Sequence, residues 1–449
     1  MEENEEKEIE FICSLEDNIE EIDVKKIINN EIVRIRKLVL TSKLYDVKEE
    51  AKYEEKYKNL LQEYIVASDN FVVFRPNFRL HTLIAGYPWF LDWARDSLIS
   101  FEGLLLIPRR YEIAKEVLLT LIRDMKFGLV PNGYSGFDLR PLYNSADASL
   151  LLFEAVYKYL KYTNDTSFVK GIYARLKTII NAYKNGIDLE NNNIYLDEDY
   201  LIVSGTPETQ NTWMDAKYGD FAFTPRNGKA VEINALWYNA LKVMQEFSGI
   251  CGDKEEANTY KGMAEDTKIS FNNKFYNKKR KCLYDVIGDS RIRPNQLFSL
   301  SLTFPVIEPD SEIAENIMNV VDKKLLTDYG LRTLAKGEQN YVEIYEGDPF
   351  KRDASYHQGP VWPWLLGLYY NALKNMRDSE KNKSKKQKLI EKIEAFCQKT
   401  EETFLEAIDR DGVIGSIGEI YDTKSPYASK GTTAQGWSVA EVYRIMLRM

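Results

Sequence analysis

KQKLIEKIEAFCQKTEETFLEAI (residues 386–408) carries nine charged side chains, whereas PVWPWLLGLYYNAL (residues 360–373), just ahead of it, carries none. Both space apolar residues three and four apart, so both predict helices, in opposite surroundings. A helix with one apolar stripe keeps its other faces in water, and a helix apolar on most faces lies inside. The same contrast recurs along the chain. Apolar spacing, Asn or Gly punctuation and Pro at starts predict twelve helices, near 47–69, 95–107, 109–125, 145–161, 165–186, 229–249, 252–276, 294–304, 310–325, 360–376, 386–408 and 433–448. The odd members are charged and amphipathic, the even members apolar nearly all round.

Strict alternation of six outer and six inner helices describes six helical hairpins closed into a ring, an all-α (α/α)6 barrel over residues 47–449. Connections from inner to outer helix are short. Most connections from outer to inner helix are long, as at 187–228, 326–359 and 409–432. The long ones all emerge at the N-terminal ends of the inner helices, on one face of the ring. Long loops on one face of a rigid scaffold are where sites are built. Residues 1–46 stand outside this scheme. EIEFICSLE reads as a short strand and about 22–40 as a charged helix, so the expectation is an N-terminal arm on the barrel or the tail of a preceding domain.

With 449 residues the chain can bury a large core, and its hydrophobic fraction of 44% is that of an ordinary soluble protein. A net charge of −9 argues against nucleic acid or an anionic membrane as partner. No run approaches the roughly 20 apolar residues of a membrane span, and MEENEEKEIE is too acidic to open a signal peptide, so a cytoplasmic location is expected. Cys13, Cys251, Cys282 and Cys397 are widely spaced, which predicts reduced structural thiols rather than a zinc knuckle or a disulfide framework. With two histidines, His81 and His357, neither a His-rich metal centre nor a Ser-His-Asp relay is expected, and no cofactor is implied. Any chemistry falls to carboxylates.

The seven tryptophans, at 89, 93, 213, 237, 362, 364 and 437, all sit in or just before inner helices. Trp237 reads as core packing. Trp89, Trp93 and Trp213 instead lie beside clustered polar groups, in WFLDWARD and in GTPETQNTWMDAKYGD (205–220). Ring faces next to carboxylates and Arg suit a sugar, whose C–H faces stack while its hydroxyls take charge-assisted bonds. The same face of the ring gathers YNSADAS (143–149), TPRNGKAVEINALW (224–237), RPNQLF (293–298), YEGDPFKRDASYHQGPVWPW (345–364) and GSIGEIYD (415–422). Carboxylates such as Glu346 and Asp353 also suit a plain structural use, as helix caps or partners of Arg352.

Hydrolysis of a glycosidic bond needs two carboxyl groups, one to protonate the leaving oxygen and one to activate water or attack. The loop 205–220 precedes the third inner helix and the loop holding Glu419 precedes the sixth, so they face each other across the mouth. That arrangement suits Glu419 as base and Asp215, enclosed near Trp213 and Met214, as acid with a raised pKa. Spacing alone leaves Glu208 and Asp220 open beside Asp215. Carboxyls on opposite walls with room for water between them predict inversion at the anomeric carbon.

The motifs AGYPWFLDWARD, YNSADASL, TWMDAK, TPRNGKAVEINALWYNAL, RPNQLFSLS, GLRTL, YHQGPVWPWLLG, GSIGEIYD and TTAQGWSVAEV resemble, in order, the glucosidase domain of glycogen debranching enzymes, the amylo-α-1,6-glucosidases. The similarity runs from about residue 72 to the C-terminus. It implies an (α/α)6 barrel and an inverting release of single α-1,6-linked glucose units from branch stubs of glycogen or a branched α-glucan oligosaccharide. Carried over by position, the acid falls on Asp215 and the base on Glu419. Arg95 and Asp96 match a pair that clamps hydroxyls of the terminal glucose, a task that suits Arg's planar fork. The remaining binding residues suggested by the mouth motifs are Trp89, Trp93, Asp147, Trp213, Lys217, Arg226, Glu232, Asn295, Gln296, His357, Gln358, Trp362 and Gln435.

Two departures stand out. Ala94 occupies a position expected to be Gly, and the chain has no room for the glucanotransferase domain of the bifunctional eukaryotic enzymes. EFICSLEDNIEEID resembles the end of the N-terminal domain of bacterial relatives. A glucoamylase-like α-1,4 exo-glucosidase, a non-catalytic glucan-binding barrel and a phosphorylase on the same scaffold are the competing readings. Faster glucose release from maltotriose than from a limit dextrin would favour the first, absent turnover the second, and a phosphate-dependent product the third.

Overall fold

The computed structural model describes residues 23–42, 55–135 and 140–449. In chain order its α-helices are α1 (Val24–Thr41), α2 (Glu55–Asp69), α3 (Ala94–Phe101, continued by a π turn over Glu102–Leu106), α4 (Tyr111–Arg123), α5 (Ala148–Thr163), α6 (Thr166–Asn185), α7 (Val231–Cys251), α8 (Lys254–Phe275), α9 (Phe298–Ser301, entered through a 3-10 turn at Pro294–Leu297), α10 (Glu312–Lys324), α11 (Pro349–Ser355), α12 (Leu365–Ser379), α13 (Lys383–Arg410) and α14 (Gly436–Met446). Helices α3, α5, α7, α9, α12 and α14 each pack on the next, and α14 returns to α3, so the inner ring closes. The other six long helices from α2 onward surround it.

The two stretches that define the pattern behave as their chemistry requires. In α13 the buried residues Ile393, Cys397, Thr400, Glu401, Phe404, Ala407 and Ile408 form one stripe, while α12 buries Leu365, Leu366, Gly367, Tyr369, Tyr370, Ala372, Leu373 and Met376. At the seam of the ring, a Cβ on Gly103 would overlap Ala440, so the small pair lets α3 and α14 approach closely. Asp165, Asp253, Ser311 and Asn382 cap the outer helices α6, α8, α10 and α13 with their side chains. No inner helix has such a cap. Their positive dipole ends therefore ring the mouth, a setting that favours carboxylates there.

The opposite end of the ring is closed by side chains. Glu102 of α3 accepts from Lys158 of α5 at 2.8 Å and from Tyr162 at 3.0 Å. These partners outweigh burial and hold the Glu102 carboxyl down at about 2. Glu154 accepts from Asn239 of α7 at 3.0 Å and from Thr303, just after α9, at 2.8 Å. Arg444 of α14 pairs with Glu441 and reaches Asn371 of α12 at 3.1 Å. Every inner helix thus contributes to, or adjoins, one polar closure.

The structure adds features that the sequence pattern does not carry. The fifth inner helix starts at Leu365 rather than 360, because Val361–Trp362 joins a five-stranded antiparallel sheet with Leu326–Thr327, Gly330–Arg332, Ile420–Tyr421 and Ser429–Lys430. The fourth is short and partly 3-10, ending before Leu302. The sixth begins at Gly436, since Ala434–Gln435 pairs with Gly86–Tyr87. Helix α11 was not expected at all; Asp348 caps it and Pro349 opens it. The expected N-terminal strand, Cys13 and residues 47–54 lie outside the described residues. Helix α1 packs on α2, where Arg34 bonds Asp69. Cys251, Cys282 and Cys397 are free thiols, and among the described residues no helix is long and apolar enough to cross a membrane.

Candidate active site

Asp215, on the loop ahead of α7, and Glu419, on the loop ahead of α14, line one cavity of about 350 Å³ in the mouth of the ring. Phe90, Trp93, Trp213, Tyr345, Tyr356, Trp362 and Trp437 supply its aromatic walls. Trp213 sets its ring edge against Trp362 and Trp364, and Trp364 stacks on Trp437 at 5.1 Å. Three rings of this cluster, Trp213, Trp362 and Trp437, line the cavity, and Trp364 packs against Trp213 and Trp437. Aromatic faces with a few converging polar groups are what a buried sugar ring requires.

Glu419 is held at both oxygens. The Tyr356 hydroxyl donates to Oε1, and the Thr432 N–H donates to Oε2 at 2.8 Å. Gly431 makes the second contact feasible: its φ is +71°, and a Cβ there would overlap Oε2. Burial raises the Glu419 carboxyl to about 7 against these two donors, with the Asp215 charge adding to the rise.

Asp215 is half-buried and accepts from Arg95 Nη1 at 2.7 Å. Burial raises its pKa from the ordinary aspartate value although Arg95 opposes this, and Asp147 reinforces the rise. Arg95 also donates from Nε to Asp147 at 2.7 Å, and Asp147 accepts from Ser145 at 2.6 Å. Arg95 and Asp96, adjacent in sequence, therefore do not form one ion pair with each other. Asp96 accepts from Gln435 Nε2 at 3.2 Å, and burial pushes its carboxyl up to about 8, aided by the Asp215 and Glu419 charges and opposed by Arg95.

Of the residues singled out from the sequence, Trp93, Arg95, Asp96, Trp213, Asp215, Trp362, Glu419 and Gln435 line this cavity. Asp147 stands behind Arg95. Trp89, 65% exposed, and Lys217 line neighbouring grooves. Arg226, Glu232, Asn295, Gln296, His357 and Gln358 do not line it. Arg226 bonds Glu232 and Asp285, the latter at 2.6 Å, and all three are buried. Asn295 donates to Asp285 at 2.7 Å and accepts from Trp213 Nε1 at 2.6 Å. Gln296 Nε2 donates to the Arg293 carbonyl at 3.0 Å. Arg293 donates to Gln358 Oε1 at 2.8 Å and to the His357 carbonyl at 2.6 Å. His357 stacks on Trp362, and burial among Arg293, Arg95 and Arg226 keeps its imidazole neutral. These groups brace the wall from behind.

Sequence reasoning did not select Tyr356, Asp353, Tyr345, Gln210, Asn144, Phe90 or Trp437, which also line the cavity. Tyr356 directly precedes the His357-Gln358 pair, and Gln210 lies in the polar run before Trp213, so both were within reach. Asp353 caps no helix; that role belongs to Asp348.

A family model described as amylo-alpha-1,6-glucosidase matches residues 66–444. The glycogen debranching enzyme of Saccharomyces cerevisiae is 24% identical over 395 residues, a match that covers 66% of this chain and 25% of the yeast protein. The chain thus corresponds to about a quarter of that relative's length. Among solved structures, a GH63 mannosylglycerate hydrolase from Thermus thermophilus superimposes with a TM-score of 0.59 at 12% identity, covering 86% of this chain and 99% of the other. The family match extends through both loops that carry the facing carboxylates, and the chain belongs to the amylo-α-1,6-glucosidase family of glycosidases.

Proposed function

We propose that the protein releases single glucose units from α-1,6 branch stubs of a glycogen-like α-glucan by an inverting mechanism. Asp215 acts as general acid and Glu419 as general base. The observation that carries this reading is that the two carboxylates rise from opposite loops into one aromatic-walled cavity. Asp215 hands its proton to the leaving O6 while Glu419 takes one from the attacking water. Arg95 anchors Asp215, and Asp96, held by Gln435, meets a hydroxyl of the bound glucose.

NMR of the first product tests the mechanism. β-Glucose is expected; α-glucose would overturn inversion. Release from a limit dextrin is expected to exceed release from maltotriose, and the reverse order would replace this reading with an α-1,4 exo-glucosidase.

The base must be ionised to act, so kcat/KM is expected to rise with pH through about 7, the value for Glu419. Tyr356 donates to the ionised carboxylate and thereby lowers this pKa. Tyr356→Phe is therefore expected to move the rising limb to higher pH, whereas a purely structural role would lower the rate without moving it.

A further inference from the structure

The central cavity does not end at a single opening. On one side it shares Phe90, Tyr345, Asp353, Tyr356 and Glu419 with a groove of about 730 Å³ that carries the exposed ring of Trp89 beside Arg352 and Lys430. On the other it shares Asn144 and Gln210 with a groove of about 680 Å³ walled by hydrogen-bonding side chains, among them Asn193, Thr206, Glu208 and Lys217. Asn211, buried in that second wall, keeps its Oδ1 without a partner. The first groove is built by the loops ahead of α3, α12 and α14, and the second by those ahead of α5 and α7. They occupy opposite halves of the rim.

Substrate connectivity gives this layout a meaning. A linear glucan offering its non-reducing end leaves a pocket in one direction. A glucose stub on O6 is different, because its branch-point residue carries further chain at both C1 and C4. When the stub is in the cavity, the main chain must depart on two sides. The geometry points to a two-armed acceptor site, in which the main chain of a branched α-glucan lies across the mouth with one limb in the Trp89 groove and the other in the Asn193 and Glu208 groove. This rests on the proposed α-1,6 reading and names the substrate architecture that reading requires. One arm stacks sugar rings and the other hydrogen-bonds hydroxyls.

The test compares four substrates of the intact protein: isomaltose, the two trisaccharides that extend its branch residue at C1 or at C4 by an α-1,4 glucose, and the tetrasaccharide extended at both. Each added limb is expected to raise kcat/KM about tenfold. A tetrasaccharide no better than the better trisaccharide would overturn the two-armed site while leaving the α-1,6 reading intact. Glucose release from none of the four, with maltotriose cleaved, would instead overturn that reading itself. Trp89→Ala is expected to erase the gain of one trisaccharide alone; loss on both, or on neither, refutes the assignment of one limb to this groove.

Discussion

Asp215→Asn is expected to lower kcat on branched glucan by about 10²- to 10⁴-fold while glucan binding persists, because the amide cannot protonate the departing O6. α-Glucosyl fluoride separates this role from a general loss of structure. Fluoride leaves without needing that proton, so the variant should retain a far larger share of activity on the fluoride than on the glucan. Equal losses on both would remove Asp215 from the acid role, and unchanged turnover would remove it from the reaction. The fold should tolerate the change, since Arg95 keeps its second carboxylate partner, Asp147, at 2.7 Å. A melting temperature close to the parent's is therefore expected alongside the kinetic loss.

The second large effect concerns stability. Arg226 sits between Glu232 and Asp285, and all three side chains are buried, each 1% exposed. Arg226→Met strands the buried Glu232 carboxylate without a countercharge and leaves Asp285 only the more distant Arg293, 3.6 Å away, a change expected to cost about 3–5 kcal/mol. Thermal denaturation should show a fall in Tm of many degrees. Replacing Glu232 by Leu in the same chain should recover part of the loss, because it removes the stranded carboxylate while Asp285 keeps Arg293 as its partner. A Tm unmoved by the single substitution would mean that water reaches the triad.

Glu232 and Arg226 also show where sequence reading meets its limit. A buried ion pair that braces a wall and a charged pair that grips a ligand have the same composition, and both occur in loops at a helix start. Only the position of Asp285, brought in from a distant loop, distinguishes the two. The ring was legible because inner and outer helices differ in charge along their whole length, as α12 and α13 do. The five-stranded sheet was not, since strands of two or three residues carry no period. That sheet ties the loop ahead of α12 to the loop ahead of α14 and sets Tyr356 against Glu419. Tyr356, one of 29 tyrosines, adjoins the His357-Gln358 pair in sequence, but only the packing of the two loops shows that it meets Glu419. The facing of Asp215 and Glu419 followed from counting loops around the ring, whereas the partners that set their protonation came from packing.

The tryptophan cluster in the centre of the ring, backed by the polar closure at the far end, makes the cavity a cul-de-sac. Whatever enters must leave again on the mouth side, by way of one of the two grooves. On the proposed function, a monosaccharide freed at its end would wait behind the polymer it came from, so departure would be ordered, with the long fragment first and the small one last. Monosaccharide accumulating in the surroundings would then re-occupy the vacated seat and turn away the next chain end. On that reading, the closed inner end links throughput to how quickly the released unit is carried away.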